Sequence, residues 1–268
     1  MTTASMRREF RVAYGAQRAA EGRALDRAAL LQLPYLQHGP LARQWSVRAR
    51  TFDAFVQCVV TPYARDVGRP LALLDLGAGN GWLSWRATRA GHRAIAVDLR
   101  DDQVDGLGAG DVYRAGTSTG FERVVGSFES LPLPDAQFDV VVFNASLHYA
   151  LDLDVVLAEA RRMTRAGGRL AILDSPFYAR EADGARMVTE KRRDATLRFG
   201  DRAPALMSLP FIEYLTRERL MAASKALGLA WRKHRVRYPL WYELRPALAR
   251  LRGDRTPSRF DVWEALVT

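Results

Sequence analysis

The sequence has few of the features that would place a protein outside the ordinary globular class. Its single cysteine, Cys58, excludes an internal disulfide and any zinc site built from several cysteines. The apolar surroundings of Cys58 predict a buried side chain. No apolar run approaches the roughly 18 residues that span a bilayer, and the first ten residues contain no apolar signal region. We therefore expect a cytoplasmic protein with no membrane partner, and we predict no metal site.

Lysine is scarce as well, since only 3 of the 40 basic residues are lysines. The formal net charge of +10 over 268 residues is unevenly distributed. Residues 71–175 are acidic, with 10 Arg against 14 acids, whereas residues 1–70 and 176–268 are both basic. Basic flanks can attract nucleic acid or an anionic substrate. The arginines are scattered and lack interleaved aromatic pairs, which favours solvated helix faces.

Short apolar segments alternate with helical patterns in the middle of the chain. The segments 71–76, 93–98, 138–144 and 169–174 have the apolar or β-branched character of buried strands, and helical patterns cover 81–90 and 153–164. Strands separated by helices at this spacing are typical of βαβ units in a parallel sheet. The sequence therefore predicts an α/β domain.

The flanking segments have less regular patterns. We predict helices over 17–33, 41–66, 181–199, 216–227 and 243–252, strands over 229–238 and 259–266, a loop over 200–215, and an irregular connection over the five glycines of 106–120. The predicted organisation is a helical cap at 1–68 and an α/β domain at 69–268. The domain contains an insertion at about 176–215. We expect the cap and the insertion to form a lid, because catalysis gains from excluding water.

The glycine-rich segment 75–81, Asp-Leu-Gly-Ala-Gly-Asn-Gly, lies directly between a predicted strand and a predicted helix. A dinucleotide loop needs a third glycine where this chain has Trp82, so the spacing disfavours a pyrophosphate ligand. The Asp75 carboxylate would also repel pyrophosphate, but it suits a ligand that carries an ammonium and a sulfonium. Asp98 ends the next strand, where a carboxylate can accept hydrogen bonds from both ribose hydroxyls.

These motifs resemble those of class I S-adenosylmethionine-dependent methyltransferases, in the small-molecule group called methyltransferase type 11. The resemblance is carried by 75–81, by 97–99, by 129–135 ahead of Phe138-Asp139, and by Arg162-Met163 ahead of two glycines. It implies a Rossmann-like α/β fold with a seven-stranded, mostly parallel sheet, N-terminal helices and a helical lid insertion. It also implies S-adenosylmethionine as cofactor and S-adenosylhomocysteine as product.

The same resemblance implies a set of cofactor contacts. Asp75, Gly77, Gly79 and Gly81 would hold the methionine end, Asp98 the ribose, Leu99 and Phe128 the adenine, and Asn144 the methionine moiety through its backbone. Ser127 stands where the family usually has an aspartate that accepts from the adenine amino group, and a hydroxyl accepts without charge assistance. Arg48 either pairs with the cofactor carboxylate or is an ordinary solvated arginine.

Candidate residues for the acceptor follow the later strands. His148 is either a general base or a structural histidine, and Tyr149, protonated at pH 7, would form the pocket wall beside it. Asp174 is a candidate for binding or polarising the acceptor, or for anchoring its loop. The aromatic residues that could line an apolar pocket are Tyr14, Tyr35, Trp45, Phe211 and Tyr214.

The leading hypothesis is methyl transfer to an oxygen, nitrogen or carbon atom of a small organic molecule, with secondary metabolism as one setting. One alternative is an RNA methyltransferase that uses the basic flanks. Another is a protein that binds S-adenosylmethionine without methylating, and an NAD enzyme is disfavoured by the loop spacing. The acceptor is left open, and so is the choice between a monomer and a homodimer.

Overall fold

The computed structural model describes residues 3–22, 24–114 and 120–268. Residues 1, 2 and 23 of the predicted cap and residues 115–119 of the predicted glycine-rich connection lie outside this range. The strands are β1 (Ala72–Leu76), β2 (Arg93–Asp98), β3 (Glu122–Val125), β4 (Phe138–Asn144), β5 (Thr164–Leu173), β6 (Phe177–Tyr178), β7 (Leu215–Thr216), β8 (Trp231–His234) and β9 (Val262–Leu266). The helices are α1 (Thr3–Ala20), α2 (Arg27–Gln32), α3 (Ala42–Phe55), α4 (Thr61–Val67), α5 (Trp82–Arg89), α6 (Leu153–Met163), α7 (Glu181–Phe199), α8 (Ala203–Leu206), α9 (Arg217–Ser224), α10 (Leu240–Glu243) and α11 (Arg245–Arg252).

Within the described part of the chain, seven strands form one central sheet in the order β3-β2-β1-β4-β5-β9-β8. The first five of these strands are parallel to one another, and β9 runs antiparallel to both β5 and β8. β1 and β4 are buried along their whole length, as expected of strands covered by helices on both faces. The predicted seven-stranded, mostly parallel α/β fold is thus confirmed.

The central elements agree closely with their predictions. β1, β2 and β4 occupy the predicted segments to within one residue. The helix predicted at 153–164 is α6, and the Asp152 carboxylate caps it by accepting hydrogen bonds from the backbone N–H groups of residues 154 and 155. β5 begins five residues earlier than predicted, because it first pairs at Thr164 and regains its register at Arg169 after an irregularity.

The N-terminal predictions need two corrections. The helix predicted over 17–33 is wrong, because α1 ends at Ala20 and α2 begins only after Asp26, whose side chain accepts from the Ala29 N–H. The predicted burial of Cys58 is also wrong, since its side chain is exposed. Cys58 lies in a π-helical turn, Val56–Val60, where Val59 and Val60 take the inward positions.

Two insertions decorate the sheet. Residues 176–215 contain α7 as predicted, but the predicted loop 200–215 also contains α8 and the short strand β7, which pairs with β6. The connection between β8 and β9 carries α10 and α11, and the predicted strand 229–238 is reduced to 231–234. Among the described helices, none is both long and apolar enough to cross a bilayer.

Candidate active site

The carboxyl ends of β1, β2, β4 and β5 meet at one edge of the sheet and open into a cavity of about 500 Å³. Ligands of open α/β sheets bind at this edge, because the strand ends leave polar loops there. The wall combines residues of the strand-end loops with aromatic side chains from both flanks of the chain. The cavity therefore brings together segments that lie far apart in sequence.

The glycine loop after β1 adopts a backbone that only glycine accommodates easily. Gly77, Gly79 and Gly81 have φ values of 74°, 57° and 77°. A Cβ atom on Gly77 would overlap the Ser146 side chain, whose hydroxyl donates to the Leu76 carbonyl. The loop after β4 thus presses directly against the loop after β1, and Gly77 is required by this contact.

Asp98 connects the glycine loop to the end of β2. Its Oδ2 accepts a hydrogen bond from the Gly79 N–H at 2.8 Å, and its Oδ1 accepts from the Arg100 N–H at 2.9 Å. Both oxygens keep further acceptor capacity, since a carboxylate offers about four lone-pair sites. Asp98 lines the cavity, and burial raises its pKa above the ordinary value.

Asp75 lies behind the glycine loop rather than in the cavity wall. It is fully buried, and its Oδ2 accepts from the Ser84 hydroxyl at 3.1 Å. Its Oδ1 has no hydrogen-bond partner among the described residues. Burial raises the pKa of Asp75 to about 7, while the hydrogen bond from Ser84 partly opposes the shift.

The structure divides the other predicted cofactor residues into two sets. The cavity wall includes Arg48, Leu99, Phe128 and Asn144 as well as Gly77 and Gly79. Gly81 and Ser127 are outside the wall. A Cβ on Gly81 would lie 2.5 Å from the Phe121 ring, so a glycine at this position allows the ring to pack closely. The Ser127 hydroxyl donates to Glu129 Oε2 at 3.1 Å. Direct cofactor contacts of all these residues stay predictions.

His148, Tyr149 and Asp174 all line the same cavity. His148 Nδ1 is buried without a hydrogen-bond partner in the described structure. Burial lowers the pKa of His148 to about 3, and the nearby positive charges of Lys191 and Arg48 act in the same direction. The imidazole is therefore neutral at pH 7 and a weaker base than an exposed histidine. The hydroxyl of Tyr149 lies 3.0 Å from that of Tyr14 on α1.

Arg48 and Asp174 form a buried ion pair at the far end of β5. Arg48 Nε donates to Asp174 Oδ2 at 3.2 Å, and an Arg48 terminal nitrogen donates to Asn144 Oδ1 at 3.2 Å. The guanidinium also stacks over the rings of Trp45 and Trp82, at 4.4 and 5.4 Å from their centroids. Asp174 is 8% exposed with a left-handed φ of 50°, and its Oδ1 accepts no hydrogen bond from any described group. Burial raises its pKa although Arg48 opposes the shift.

Sequence reasoning missed most of the outer wall. Of the five aromatic candidates, Tyr14, Trp45 and Phe211 line the cavity, while Tyr35 and Tyr214 do not. The unforeseen lining residues lie on α1 and on the β8–β9 connection, and they include Phe10, Arg18, Trp241, Tyr242, Arg245 and Phe260. The adjacent aromatic residues Trp241 and Tyr242, shortly after Pro239, were a sequence signal for a pocket wall. No local pattern shows that Trp241 packs against α3.

The fold is that of the class I S-adenosylmethionine-dependent methyltransferases, as the sequence predicted. Residues 74–172 match the family model of a methyltransferase domain. The predicted cofactor, S-adenosylmethionine, is supported by this match and by solved neighbours that contain S-adenosylhomocysteine or sinefungin. The model covers β1 to β5, the part of the sheet that surrounds the glycine loop and Asp98.

Curated relatives and solved structures agree with this assignment. The chain is 32% identical over 139 residues to a malonyl-[acyl-carrier protein] O-methyltransferase of Erwinia pyrifoliae, covering 51% of this chain and 45% of the relative. It is 40% identical over 103 residues to a demethylmenaquinone methyltransferase of Thermobifida fusca, covering 38% and 42%. The chain thus spans less than half the length of each of these relatives.

A solved structure extends the fold comparison over most of the chain. It is a geranyl diphosphate C-methyltransferase from Streptomyces coelicolor A3(2), in complex with Mg²⁺, geranyl diphosphate and S-adenosylhomocysteine. It superposes with a TM-score of 0.56 at 17% identity, covering 91% of this chain and 89% of that one. At this identity the likeness concerns the fold alone.

Proposed function

We propose that this protein transfers a methyl group from S-adenosylmethionine to a small organic acceptor. The observation that carries the proposal is one continuous cavity that runs from the Asp98 carboxylate at β2 to the Arg48–Asp174 pair at β5. One end has the donors and acceptors for a nucleoside with an amino-acid tail, and the other end is enclosed by aromatic rings. The named relatives and neighbours methylate different acceptors, so they do not select one.

The residues at the glycine loop fit the proposed cofactor. When bound, S-adenosylmethionine supplies a methyl group already activated on a sulfonium. Asp98, held rigid by two backbone N–H groups, can accept from both ribose hydroxyls. Asp75, buried behind the loop and outside the cavity wall, can favour a positively charged group beside the loop through its charge. The Phe128 ring and Leu99 offer apolar contacts for a base.

At the acceptor end the chain must align a nucleophile and exclude water. Asp174 is the better candidate for holding an acceptor proton, because its Oδ1 has no hydrogen-bond partner among the described residues and burial raises its pKa above the ordinary value. The pKa of His148, lowered to about 3, leaves that residue as a neutral hydrogen-bonding group. We therefore assign Asp174 as the residue that accepts the acceptor proton and His148 as a positioning residue.

We further propose that the N-terminal cap and the 176–215 insertion cover the cavity together. Phe10 on α1 packs edge-on against Phe211 of the insertion, with ring centroids 4.9 Å apart. The Tyr149 ring contacts both Phe211 and Tyr14, at 5.5 and 5.7 Å. These rings close one side of the cavity, which suits a small molecule better than a polynucleotide. The Arg-rich flanks support this choice, because Arg18, Arg180 and Arg259 are paired with carboxylates of the chain itself.

The test is calorimetric titration of S-adenosylmethionine and S-adenosylhomocysteine into the wild type and the Asp98→Ala variant. We expect binding to the wild type and a loss of at least tenfold in the variant, since two charge-assisted hydrogen bonds disappear. Asp101→Ala is the matched control, because this neighbouring carboxylate is exposed and lies outside the cavity wall. No binding to the wild type, or equal loss in both variants, would overturn the cofactor assignment.

The acceptor assignment is tested separately, by methyl release in a screen of small aromatic and apolar acceptors. With a turned-over acceptor, Asp174→Asn should lower kcat by at least tenfold while S-adenosylmethionine affinity changes little. Tight cofactor binding with no methyl transferred to any acceptor would instead support a non-methylating role.

A further inference from the structure

Four exposed leucines line one side of the helix that connects β8 to β9. Leu240, Leu244, Leu248 and Leu251 are 80%, 54%, 45% and 84% exposed. The backbone bonds from Leu244 to Leu240 and from Leu248 to Leu244 run through the junction of α10 and α11, so 240–252 winds as one helix. The spacing of four, four and three residues places all four side chains on one face. We call these residues the leucine stripe.

The helix does not need the leucine stripe to hold its place in the fold. Its opposite side buries Tyr242, which is 4% exposed and stacks under the Arg245 guanidinium at 4.2 Å. The guanidinium group of Arg43 on α3 stacks over the Trp241 ring, 4.1 Å from its centroid. Contiguous exposed apolar surface of this kind is uncommon on a protein without a partner there and marks an interaction site.

Arginines border the leucine stripe on both sides. At about 100° per residue, Arg252 falls on one side of the stripe and Arg250 on the other. Both are exposed, and neither has a carboxylate within ion-pair distance among the described residues. Arg235 and Arg237, also exposed, precede the helix in the same connection. The acids of segment 235–254 are Glu243, which pairs with Arg259, and Asp254, so five arginines stand against two acids there and the segment is cationic.

The combination of exposed leucines and bordering arginines favours one class of binding partner over others. A second copy of the chain would bring like charges together around the apolar contact, which is unfavourable. Nucleic acid would use the arginines but has no role for four protruding leucines. An anionic lipid surface uses both, because leucines enter the acyl boundary while arginines meet phosphates at its edge.

We propose that helix 240–252 docks this protein on anionic lipid surfaces through the leucine stripe. The helix lies in the plane of the interface, so no membrane-spanning segment is required, and the lack of a long apolar run in the sequence does not bear on this mode. Trp241 and Arg245, on the neighbouring side of the helix, line the cavity, so the proposed docking face lies next to the cavity. The proposal does not depend on the identity of the reaction.

The experiment measures co-sedimentation of the full chain with sucrose-loaded vesicles, of phosphatidylcholine alone or with about one-third phosphatidylglycerol. We expect the wild type to bind the anionic vesicles and not the neutral ones. Leu251→Ser should weaken binding about fivefold, and Leu244→Ser/Leu251→Ser by tenfold or more, because apolar area leaves the interface. Arg250→Glu/Arg252→Glu should weaken binding similarly and reduce its salt dependence.

The control is Leu197→Ser, since Leu197 is 78% exposed on α7, outside the stripe, and should leave vesicle binding unchanged. All these side chains are on the surface, so circular dichroism should show folded variants. Absence of wild-type binding to anionic vesicles overturns the proposal. Equal binding by the double leucine variant also overturns it, because adsorption would then follow from net charge alone.

Discussion

The Asp75 carboxyl group is buried directly behind the glycine loop. Its replacement by asparagine removes the charge, so the effect of that charge on folding stability can be measured apart from its effect on cofactor binding. The side chain is fully buried, with one oxygen on the Ser84 hydroxyl and no described partner for the other. Asp75→Asn keeps the shape and the acceptor for Ser84 but cannot ionise. The variant therefore reports what the buried charge does to the unbound protein.

The magnitude follows from the pKa. Burial raises the pKa of Asp75 from 3.8 in the unfolded chain to about 7 in the fold. Between these values the folded protein retains a proton that the unfolded chain has lost, so stability from this group falls as pH rises. Three pKa units correspond to an upper limit of about 4 kcal/mol. We expect Asp75→Asn to match the wild type at pH 4 and to be more stable by up to about 4 kcal/mol at pH 7.5.

The assay is urea unfolding of the cofactor-free protein at pH 4, 5.5 and 7.5, followed by tryptophan fluorescence. Asp66→Asn is the control for the substitution itself, since Asp66 is exposed and has no ion pair among the described residues. The same Asp75→Asn protein should bind S-adenosylmethionine more weakly, because a negative charge behind the loop that favours a positive group is gone. A stability difference that does not change with pH would refute the reasoning.

Two further predictions test the loop and the histidine. Gly77→Ala should destabilise the fold by more than Gly91→Ala in thermal melts, because both have a left-handed φ but only Gly77 would overlap Ser146; equal losses would mean that the loop contact is unimportant. His148→Gln should resist acid unfolding better than the wild type, by up to about 3 kcal/mol at pH 4.5. The pKa of His148 is lower in the folded protein than its value of 6.5 in the unfolded chain, so the wild type loses stability as pH falls below 6.5. Coinciding acid unfolding curves of the variant and the wild type would contradict the burial of His148.

The elements of the central sheet were predictable because their signals are local. The apolar run 138–144 forms a strand that is buried on both faces. The loop after β1 has positive φ angles at its glycines, and glycine adopts such angles without strain. Boundaries were less accurate where helices depend on distant packing. α1 was misplaced because its helical pattern continues past Ala20, and only the Asp26 cap shows where the next helix begins.

More of the candidate site could be predicted from the sequence at the proposed cofactor end than at the proposed acceptor end. The residues proposed for the cofactor follow strands that are neighbours in the sheet, so the order of motifs was enough to bring Gly77, Asp98 and Asn144 to one edge. The acceptor end depends on contacts across the chain. Arg48 reaches Asp174 over 126 positions, and Thr51 on α3 bonds to Tyr238 over 187.

By itself, the sequence determined the fold class, the glycine loop after β1 and the strand that ends on Asp98, since each rests on residue types within a few positions of one another. Only the tertiary structure decided that Cys58 is exposed, that His148 is neutral and that the β8–β9 helix presents leucines outward while Trp241 turns inward. Burial and pKa depend on which distant segments pack around a side chain. A local sequence pattern carries no record of those neighbours.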